Sequence, residues 1–467
     1  MISSPVPLKS KLAVRRITRA AVLALNLCAC LVSAFSSARS PCSVHSTIFA
    51  GWNAIEMSND WVRLDIVPKL GGRLMQVSFD DHPYLFINPK YRGAYFPPSA
   101  AQKGEWFNYG GDKLWPLPEG HGNNQWPGPV SDVLDDGEYK STIVSQGKRC
   151  QVHLEGTGDP ATGLQYSRDI SIGIDSPQIS FHAVMHNIAD HPIRWSVQSV
   201  TQYDTADPGH PEKYNHDFWA FAPTNPTSAY PNGYFVRAGL ADDPSFGIDD
   251  GLFKLHWLYL ENEVWLDSPA GWIAAADNQS KYGMVEQFQQ VANKEYPGKA
   301  SIIFYKNGAA LTLDSQGMPT IRSATPDKAP YYMEAEINSP MVDLMPGASY
   351  AMDTEWFPVR AGKNVTAVTP AGVVERPLAA TTTSEGIQLS GIFDVFFPGE
   401  LVAQIFGNRE ISQLELVNVD PRTQVELNQL INIHDSASRI SVHLRDEQGL
   451  DRGELGEVEF VQQKAKP

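Results

Sequence analysis

The stretch Trp106-Phe-Asn-Tyr-Gly-Gly-Asp-Lys-Leu-Trp-Pro-Leu-Pro-Glu-Gly-His-Gly-Asn-Asn-Gln-Trp126 carries the strongest structural and functional signal of this chain. It holds three tryptophans, four glycines and two prolines, and its apolar residues follow neither a helical nor an alternating period. This composition predicts a binding loop, whereas a core strand would alternate. The alternative is a long surface loop whose tryptophans cap the end of a β-sandwich core.

The chemistry of this stretch suits a sugar. Indole faces offer apolar area to the C–H faces of a sugar ring, while carboxylate, amide and ammonium groups can bond its hydroxyls. Gly110 and Gly111 allow the backbone to approach a ligand closely. We therefore predict a carbohydrate, either a monosaccharide or a polysaccharide, as the ligand.

On both sides of this stretch the pattern is that of β-strands. Short runs rich in β-branched and aromatic residues, such as 61–67, 167–174 and 331–337, lie between Gly, Pro, Asp and Asn turns. Segments with a helical period are scarce. Between residues 205 and 270 the pattern loosens into aromatic and Pro-rich connections, which either carry binding function or only cover the sheets. The sequence predicts an all-β fold built on a large β-sandwich.

The composition changes after Gly362, where tryptophan disappears and Val, Thr, Leu and Ile dominate. A chain of 467 residues is long enough for two or three domains. We predict a large β domain over residues 53–362, preceded by an N-terminal tail over 39–52. A small β-rich accessory domain is expected to follow over residues 363–467.

The first 38 residues have the features of a signal peptide. Five basic residues precede a mostly apolar run over 20–35, and Ser36-Ser37-Ala38 supplies the small residues expected before cleavage. The apolar run is about 16 residues long, shorter than the ~20 that a membrane span needs. We expect an exported protein, periplasmic or secreted, with no transmembrane segment in the mature chain; lipid anchoring at Cys30 is the alternative.

Cysteine usage and charge agree with export. Of the four cysteines, Cys42 and Cys150 would remain after cleavage, and they could either pair in an oxidising compartment or stay as thiols. No Cys or His spacing is typical of zinc, so we predict no metal and no cofactor. Removing the five basic residues of the signal from the 37 Lys and Arg leaves 32 against 53 Asp and Glu. Such an acidic surface argues against nucleic acid as a partner.

A family resemblance rests on four segments and their order. Four segments resemble those of the galactose-mutarotase-like (aldose 1-epimerase) superfamily. They are Pro68-Lys-Leu-Gly-Gly-Arg-Leu74, the loop from Gly110 to Trp126, the hairpin over 187–202 and the region over 333–357. The Gly-Gly-Asp-Lys-Leu-Trp-Pro loop is similar to that of an uncharacterised, mostly bacterial branch. The resemblance covers roughly residues 50–362 and implies a galactose-mutarotase-like β-supersandwich, followed here by the small C-terminal β domain.

The resemblance also implies a catalytic base. Mutarotases have a Leu-Glu-Thr-Gln strand followed by a Pro-Gly-Glu-x-Tyr turn. This chain has a similar arrangement, in which Met333-Glu-Ala-Glu336 is followed by Pro346-Gly-Ala-Ser-Tyr350. Glu334 thereby becomes the candidate general base, which takes the anomeric hydroxyl proton while an acid protonates the ring oxygen. Glu336 lies on the same face of the strand, so the choice between them stays open. Two carboxylates on an exposed sheet surface are the structural alternative.

The partner acid departs from the family pattern. Mutarotases place a histidine on the strand after the hairpin turn, but residues 193–209 contain none and instead offer Gln198, Thr201 and Gln202. Glutamine can hydrogen-bond a hydroxyl but cannot exchange a proton near neutral pH. His121, in the aromatic loop, is the candidate substitute; a solvated loop histidine is the alternative.

These observations predict an exported carbohydrate-binding protein, an aldose 1-epimerase-type isomerase if it is active. The alternatives are a noncatalytic sugar-binding or envelope-structural protein, and a polysaccharide lyase or hydrolase in which Asp112 and Glu119 would form a carboxylate pair. Motifs of serine hydrolases, nucleotide enzymes and zinc proteases are absent from the sequence. Catalysis is assigned to Glu334 and His121, and substrate binding to Trp106, Asp112, Lys113, Trp115, Gln198, Gln202 and Glu336.

Overall fold

Nearly all regular structure in the chain is β-strand. The computed structural model describes residues 39–98, 106–130, 132–309, 311–313, 319–321, 330–407, 411–432 and 437–460. The predicted signal peptide, with Cys30, lies outside these residues. From Pro41 onward the described residues form one compact unit. No helix in the described ranges is long and apolar enough to cross a membrane.

The described residues form thirty-four strands, one short helix and two 3-10 turns. The strands before residue 362 are β1 (Ser43–Phe49), β2 (Trp52–Ser58), β3 (Val62–Val67), β4 (Arg73–Phe79), β5 (His82–Pro83), β6 (Asp112–Leu117), β7 (Lys140–Ser145), β8 (Arg149–Glu155), β9 (Leu164–Gly173), β10 (Ile179–Asn187), β11 (Ile193–Asp204), β12 (Ala206–Asp207), β13 (His210–Tyr214), β14 (Phe218–Pro223), β15 (Phe235–Ala238), β16 (Phe246–Asp249), β17 (Leu252–His256), β18 (Asn262–Leu266), β19 (Trp272–Asp277), β20 (Tyr282–Phe288), β21 (Ile302–Lys306), β22 (Leu311–Leu313), β23 (Pro319–Ile321), β24 (Tyr332–Asn338), β25 (Val342–Leu344) and β26 (Ser349–Val359). The strands after it are β27 (Ala367–Thr369), β28 (Gly372–Thr382), β29 (Ile387–Val395), β30 (Gly399–Phe406), β31 (Ile411–Val419), β32 (Val425–Ile431), β33 (Arg439–Asp446) and β34 (Asp451–Glu459). The helix α1 is Val133–Asp136, and the 3-10 turns are Pro89–Tyr91 and Pro297–Lys299.

Two large antiparallel sheets pack face to face. The first, here called the cleft sheet, has the order β1-β2-β3-β4-β6-β11-β24-β21-β18-β15, with β25 added to β11 and β5 to β4. The second, the backing sheet, has the order β16-β17-β14-β19-β20-β26-β10-β9-β8-β7. One continuous core of buried side chains, including Trp126, Trp257 and Trp356, fills the space between them. The predicted all-β sandwich is confirmed.

The residues predicted to form a binding loop include a central strand of this sandwich. All six side chains of β6 are buried, and the strand pairs with β11 so that Trp115 lies opposite Gln198. The prediction of a loop is wrong for Asp112–Leu117, because a strand covered on both faces shows no alternation of apolar and polar residues. The segment that follows, over residues 118–130, does run outside the strands.

Strands β27 to β34 form two further four-stranded sheets, β27-β28-β29-β32 and β31-β30-β33-β34. Their apolar side chains share a core with the backing sheet, where Phe357 of β26 stacks on Phe396 with ring centroids 4.3 Å apart. The C-terminal β region is therefore present, and the change of sheets occurs after Val359. A domain boundary at Gly362 stays a prediction.

A disulfide joins the chain just before β1, the first strand of the cleft sheet, to the backing sheet. Cys42, directly before β1, is bonded to Cys150 in β8, 108 positions further along the sequence. Of the two possibilities left open by the sequence, pairing is the one that the structure has.

Candidate functional site

A cleft of about 500 Å³ opens on the outer face of the cleft sheet. Residues directly opposite each other in antiparallel strands point to the same face. The pairing of β11 with β24 places Gln202 opposite Glu334, and the pairing of β21 with β24 places Tyr305 opposite Glu334 as well. The aromatic and polar residues lining the cleft are Trp106, Trp115, Glu119, His121, Gln198, Arg237, Glu263, Trp265, Tyr305, Glu334 and Glu336.

Glu334 is held at the floor of the cleft by two neighbours. Its Oε1 accepts a hydrogen bond from Gln202 Nε2 at 2.5 Å and lies 3.4 Å from Lys113 Nζ. Its Oε2 makes no hydrogen bond to any residue that the structure describes, and the residue is 5% exposed. The Lys113 ammonium and the Glu334 carboxylate thus form a buried ion pair. Glu334 is therefore held through Oε1 while the residue lines the cleft.

Lys113 lies just below the cleft surface. It is 1% exposed, and its Nζ lies 4.4 Å from the centroid of the Trp115 ring and 5.7 Å from that of Trp106. Burial lowers the pKa of Lys113, and the negative charge of Glu334 opposes that change. The lysine thus contacts Glu334 beneath the cleft surface and does not contact solvent in the cleft.

Glu336 lines the cleft two residues beyond Glu334 on β24. Its Oε2 accepts a short hydrogen bond from Gln198 Nε2, while its Oε1 has no hydrogen-bond partner in the described part of the chain. Burial raises the pKa of Glu336 well above its ordinary value, and the charge of Glu334 raises it further; Lys113 acts in the opposite direction. A carboxyl group in this environment keeps its proton at higher pH than a solvated one and can donate a hydrogen bond.

The two tryptophans at one side of the cleft are tied to a single carboxylate. Asp135, in the short helix α1, accepts hydrogen bonds from Trp115 Nε1 at 2.8 Å and from Trp106 Nε1 at 3.2 Å. Arg73 Nη2 donates to the same side chain at 2.7 Å, while its Nη1 donates to the Gly110 carbonyl at 3.1 Å. The indole edges are therefore fixed by the chain.

The opposite rim of the cleft comes from residues that the sequence did not assign to the site. Glu263 and Trp265 belong to β18, and the Trp265 indole N–H donates to Glu263 Oε1 at 2.5 Å. Arg237 extends from β15 and is exposed. Burial raises the pKa values of Glu263 and of Glu119 on the near rim. The alternation Glu263-Val-Trp265 was the available signal, since it places a carboxylate and an indole on one face of a strand.

Most of the residues predicted to share a site do lie together. Beneath the cleft, Lys113 and Gln202 contact Glu334. The cleft itself is lined by Trp106, Trp115, Gln198, Glu334, Glu336 and His121. Their roles in binding and catalysis stay predictions. Among the described side chains, no group of three or more His, Cys, Asp or Glu is arranged to hold a metal ion.

Asp112 does not line the cleft, and its placement there was wrong. Successive residues of a strand point to opposite faces, so Asp112 and Lys113 cannot both face the ligand. Asp112 is fully buried between the two sheets, where it forms an ion pair with Arg168 of β9 and lies 3.2 Å from Thr201 Oγ1. For the same reason Asp112 and Glu119 do not form a carboxylate pair in this cleft.

A second polar cluster surrounds Asp112. Glu286 of the backing sheet accepts a hydrogen bond from the Tyr203 hydroxyl at 2.6 Å and lies 3.3 Å from Thr201 Oγ1. Burial raises the pKa of Glu286 to about 8, and the charge of Asp112 adds to that rise. This cluster, named here the inter-sheet cluster (Asp112, Arg168, Thr201, Tyr203 and Glu286), is closed to solvent.

Comparisons with known proteins come from solved structures. The chain matches no protein-family profile and no curated protein sequence. It is similar to a candidate aldose 1-epimerase from Klebsiella pneumoniae, with a TM-score of 0.45, 13% identity, and coverage of 69% of this chain and 85% of that one. A galactose mutarotase-like protein from Clostridium acetobutylicum follows with a TM-score of 0.41, 9% identity, and coverage of 68% and 99%.

A TPR-domain containing protein from Parabacteroides distasonis is also similar, with a TM-score of 0.43 and 14% identity. The match covers 66% of this chain and 47% of that protein, so the chain spans about half the length of this relative. The structures to which the chain is similar thus include galactose mutarotase-like and aldose 1-epimerase proteins, the superfamily that its sequence motifs resemble.

Proposed function

We propose that the protein binds a carbohydrate in the cleft and interconverts its anomers, with Glu334 as the general base. The observation that carries this proposal is the environment of Glu334: its Oε1 is held by Gln202 and Lys113, and the residue lines a cleft that also contains tryptophans. The reaction class is that of an aldose 1-epimerase.

The lining of the cleft supports a sugar ligand. Its volume of about 500 Å³ lies within the range typical of small-molecule sites. Trp106 and Trp115 offer apolar surface on one side, and Trp265 does so on the other. Between them, carboxyl and amide groups can bond hydroxyls. Alternating apolar faces and polar edges are also the surface pattern of a pyranose ring, so the cleft and such a ligand are complementary.

The fixed position of Glu334 supports proton transfer. A general base must reach the proton that it abstracts, and its geometry must be maintained without the ligand's help. Gln202 and Lys113 both hold Oε1, so rotation of the carboxylate is restricted. A ligand hydroxyl at the floor would then meet Oε2.

The test follows the equilibration of freshly dissolved α-glucose and α-galactose by one-dimensional NMR, with the mature protein and a Glu334→Gln variant. We expect acceleration by the parent and a loss of about 10²-fold or more in the variant, the usual contribution of a general base. Sugar binding, followed by ligand-observed NMR, should persist. Glu355→Gln is the matched control, because Glu355 lies exposed on β26 of the backing sheet. Equal rates with parent and Glu334→Gln would exclude Glu334 as the base.

Noncatalytic sugar recognition is the second candidate function. It is favoured by the glutamines of β11, since Gln198 and Gln202 occupy the strand on which the resemblance places a catalytic histidine. This function predicts that a panel of aldoses equilibrates no faster with the protein than without it, although the sugars bind.

We also propose that the protein acts outside the cytoplasm. The disulfide between Cys42 and Cys150 supports this location, because disulfides persist in oxidising compartments. Fractionation of cells that express the full chain tests it. Recovery of the shortened protein from the periplasm or medium is expected, and recovery of the full-length protein from the cytoplasm alone would contradict the proposal.

A further inference from the structure

We propose that Glu336 donates the proton to the ring oxygen, so that ring opening uses two carboxyl groups of one strand. This inference rests on the proposed function and assigns the acid that residues 193–209 do not supply. It is derived from the positions of the two carboxyl groups and from their different neighbours.

The spacing of the two groups fits the two oxygens that react. Glu334 and Glu336 are separated by two residues on β24, which places their Cα atoms about 6.6 Å apart on one face. Both line the same cleft. The anomeric hydroxyl and the ring oxygen are bonded to the same carbon, and each needs a partner at about 2.7 Å. One sugar bound above β24 can therefore contact both carboxyl groups.

The neighbours of the two groups differ in charge. Glu334 lies beside the Lys113 ammonium, whereas Glu336 accepts a hydrogen bond from the neutral amide of Gln198. The negative charges of Glu334, Glu263 and Glu119 disfavour ionisation of Glu336, and the positive charge of Lys113 opposes them. Two carboxyl groups with different surroundings in one cleft are a known arrangement for an acid and a base.

The reaction balances with these two groups alone. Glu334 takes the proton of the anomeric hydroxyl, the C1–O5 bond breaks as the C1–O1 double bond forms, and O5 receives the proton of Glu336. Rotation about C1–C2 then exposes the other face of the aldehyde. Ring closure reverses both proton transfers, so that Glu334 is again ionised and Glu336 protonated.

His121 is the competing acid. It lies in the segment after β6, at the rim of the cleft, and its side chain is exposed. Glu336 is packed at the floor, two residues from the proposed base, with a hydrogen bond that fixes its carboxyl group. An acid at the floor is reached by the same sugar that contacts Glu334.

The experiment compares anomer equilibration rates of the parent, Glu336→Gln and His121→Asn proteins by NMR over pH 5–10. We expect Glu336→Gln to lose about 10²-fold or more in rate while sugar affinity changes by less than about threefold. A loss of this size in His121→Asn, with the parent rate retained in Glu336→Gln, would overturn the proposal. Partial recovery in Glu336→Asp would support proton transfer. The parent rate should fall on the alkaline side, as Glu336 loses its proton.

The temperature dependence of this alkaline limb needs no variant. The titration midpoint of a carboxyl group changes little with temperature, whereas that of an imidazole changes clearly. A temperature-dependent midpoint of the alkaline limb would therefore overturn the proposal, even if the Glu336→Gln variant failed to fold. An active parent with an inactive Glu334→Gln and an active Glu336→Gln would overturn only the role of Glu336. An inactive parent would overturn the proposed function together with it.

Discussion

Two polar clusters lie on opposite faces of the cleft sheet, and they differ in whether their carboxylate oxygens are accessible to a ligand. On the outer face Lys113, Gln202 and Glu334 form the floor of the cleft; on the inner face Asp112 and Thr201 belong to the inter-sheet cluster. The strands β6 and β11 contribute neighbouring residues to both. Each cluster contains a buried cation paired with a carboxylate.

The difference is in the use of the carboxylate oxygens. In the inter-sheet cluster the Glu286 carboxyl is bonded through both oxygens, to Tyr203 and Thr201, and no solvent reaches it. In the cleft, Glu334 and Glu336 each have one oxygen without a partner in the described residues. Similar chemistry thus stabilises the fold on one face and remains available to a ligand on the other. The comparison shows that accessibility, more than residue type, distinguishes the two clusters.

The largest effect is expected from Arg168→Met. Removing this cation leaves Asp112 buried between the sheets without its ion-pair partner, and such losses cost about 3–5 kcal/mol. Lys113→Met is the matched variant, since Glu334 can instead be hydrated from the cleft, and we expect less than half of that loss. Chemical denaturation of both variants measures the free energies of unfolding. Equal losses would show that the two faces do not differ in this way.

The pH dependence of stability should change in Glu286→Gln. Burial raises the pKa of Glu286 to about 8, so the folded state binds its proton more tightly than the unfolded state, for which the pKa is the ordinary 4.5. This contribution to stability is complete below pH 4.5 and is lost as the pH rises toward 8. Within that window the parent should lose about 1.4 kcal/mol per pH unit relative to the variant.

Urea denaturation at intervals between pH 5 and 8 checks this expectation. The glutamine can still accept from the Tyr203 hydroxyl, so its fold should be retained. Glu355→Gln on the exposed face of β26 should keep the slope of the parent. A Glu286→Gln protein with the parent's slope would indicate that this carboxyl group titrates alike in the folded and unfolded states.

A smaller effect is expected from Trp265→Ala, on the cleft rim. Losing one aromatic wall should weaken sugar binding about tenfold, or ~1.4 kcal/mol, with little change in stability because the side chain is only half-buried. Trp219→Ala is the control, since Trp219 is half-buried on the backing sheet, where it stacks on His256. Calorimetric titration with a sugar identified by NMR measures both. Similar weakening in the two variants would argue against the cleft as the binding site.

The sequence allowed the β fold and much of the cleft to be predicted, because short strands and their order are local features. It also allowed Trp115, Glu334 and His121 to be grouped, since a family motif fixes their order along the chain. Asp112 was misplaced because its partner Arg168 lies 56 residues away in another sheet, and no local pattern shows such a pair. The contributions of Asp135 and Glu263 were missed for the same reason: their roles depend on contacts with distant strands.

The disulfide has a mechanical consequence for the sandwich. Among the described strands β1 is the outermost of the cleft sheet, where it pairs with β2, and such edge strands are usually the first to detach. Cys42 precedes β1 by one residue and is bonded to Cys150 in the backing sheet. A force that pulls on the chain at Cys42 is therefore transmitted to both sheets at once, and β1 cannot be detached from its Cys42 end unless a covalent bond is broken.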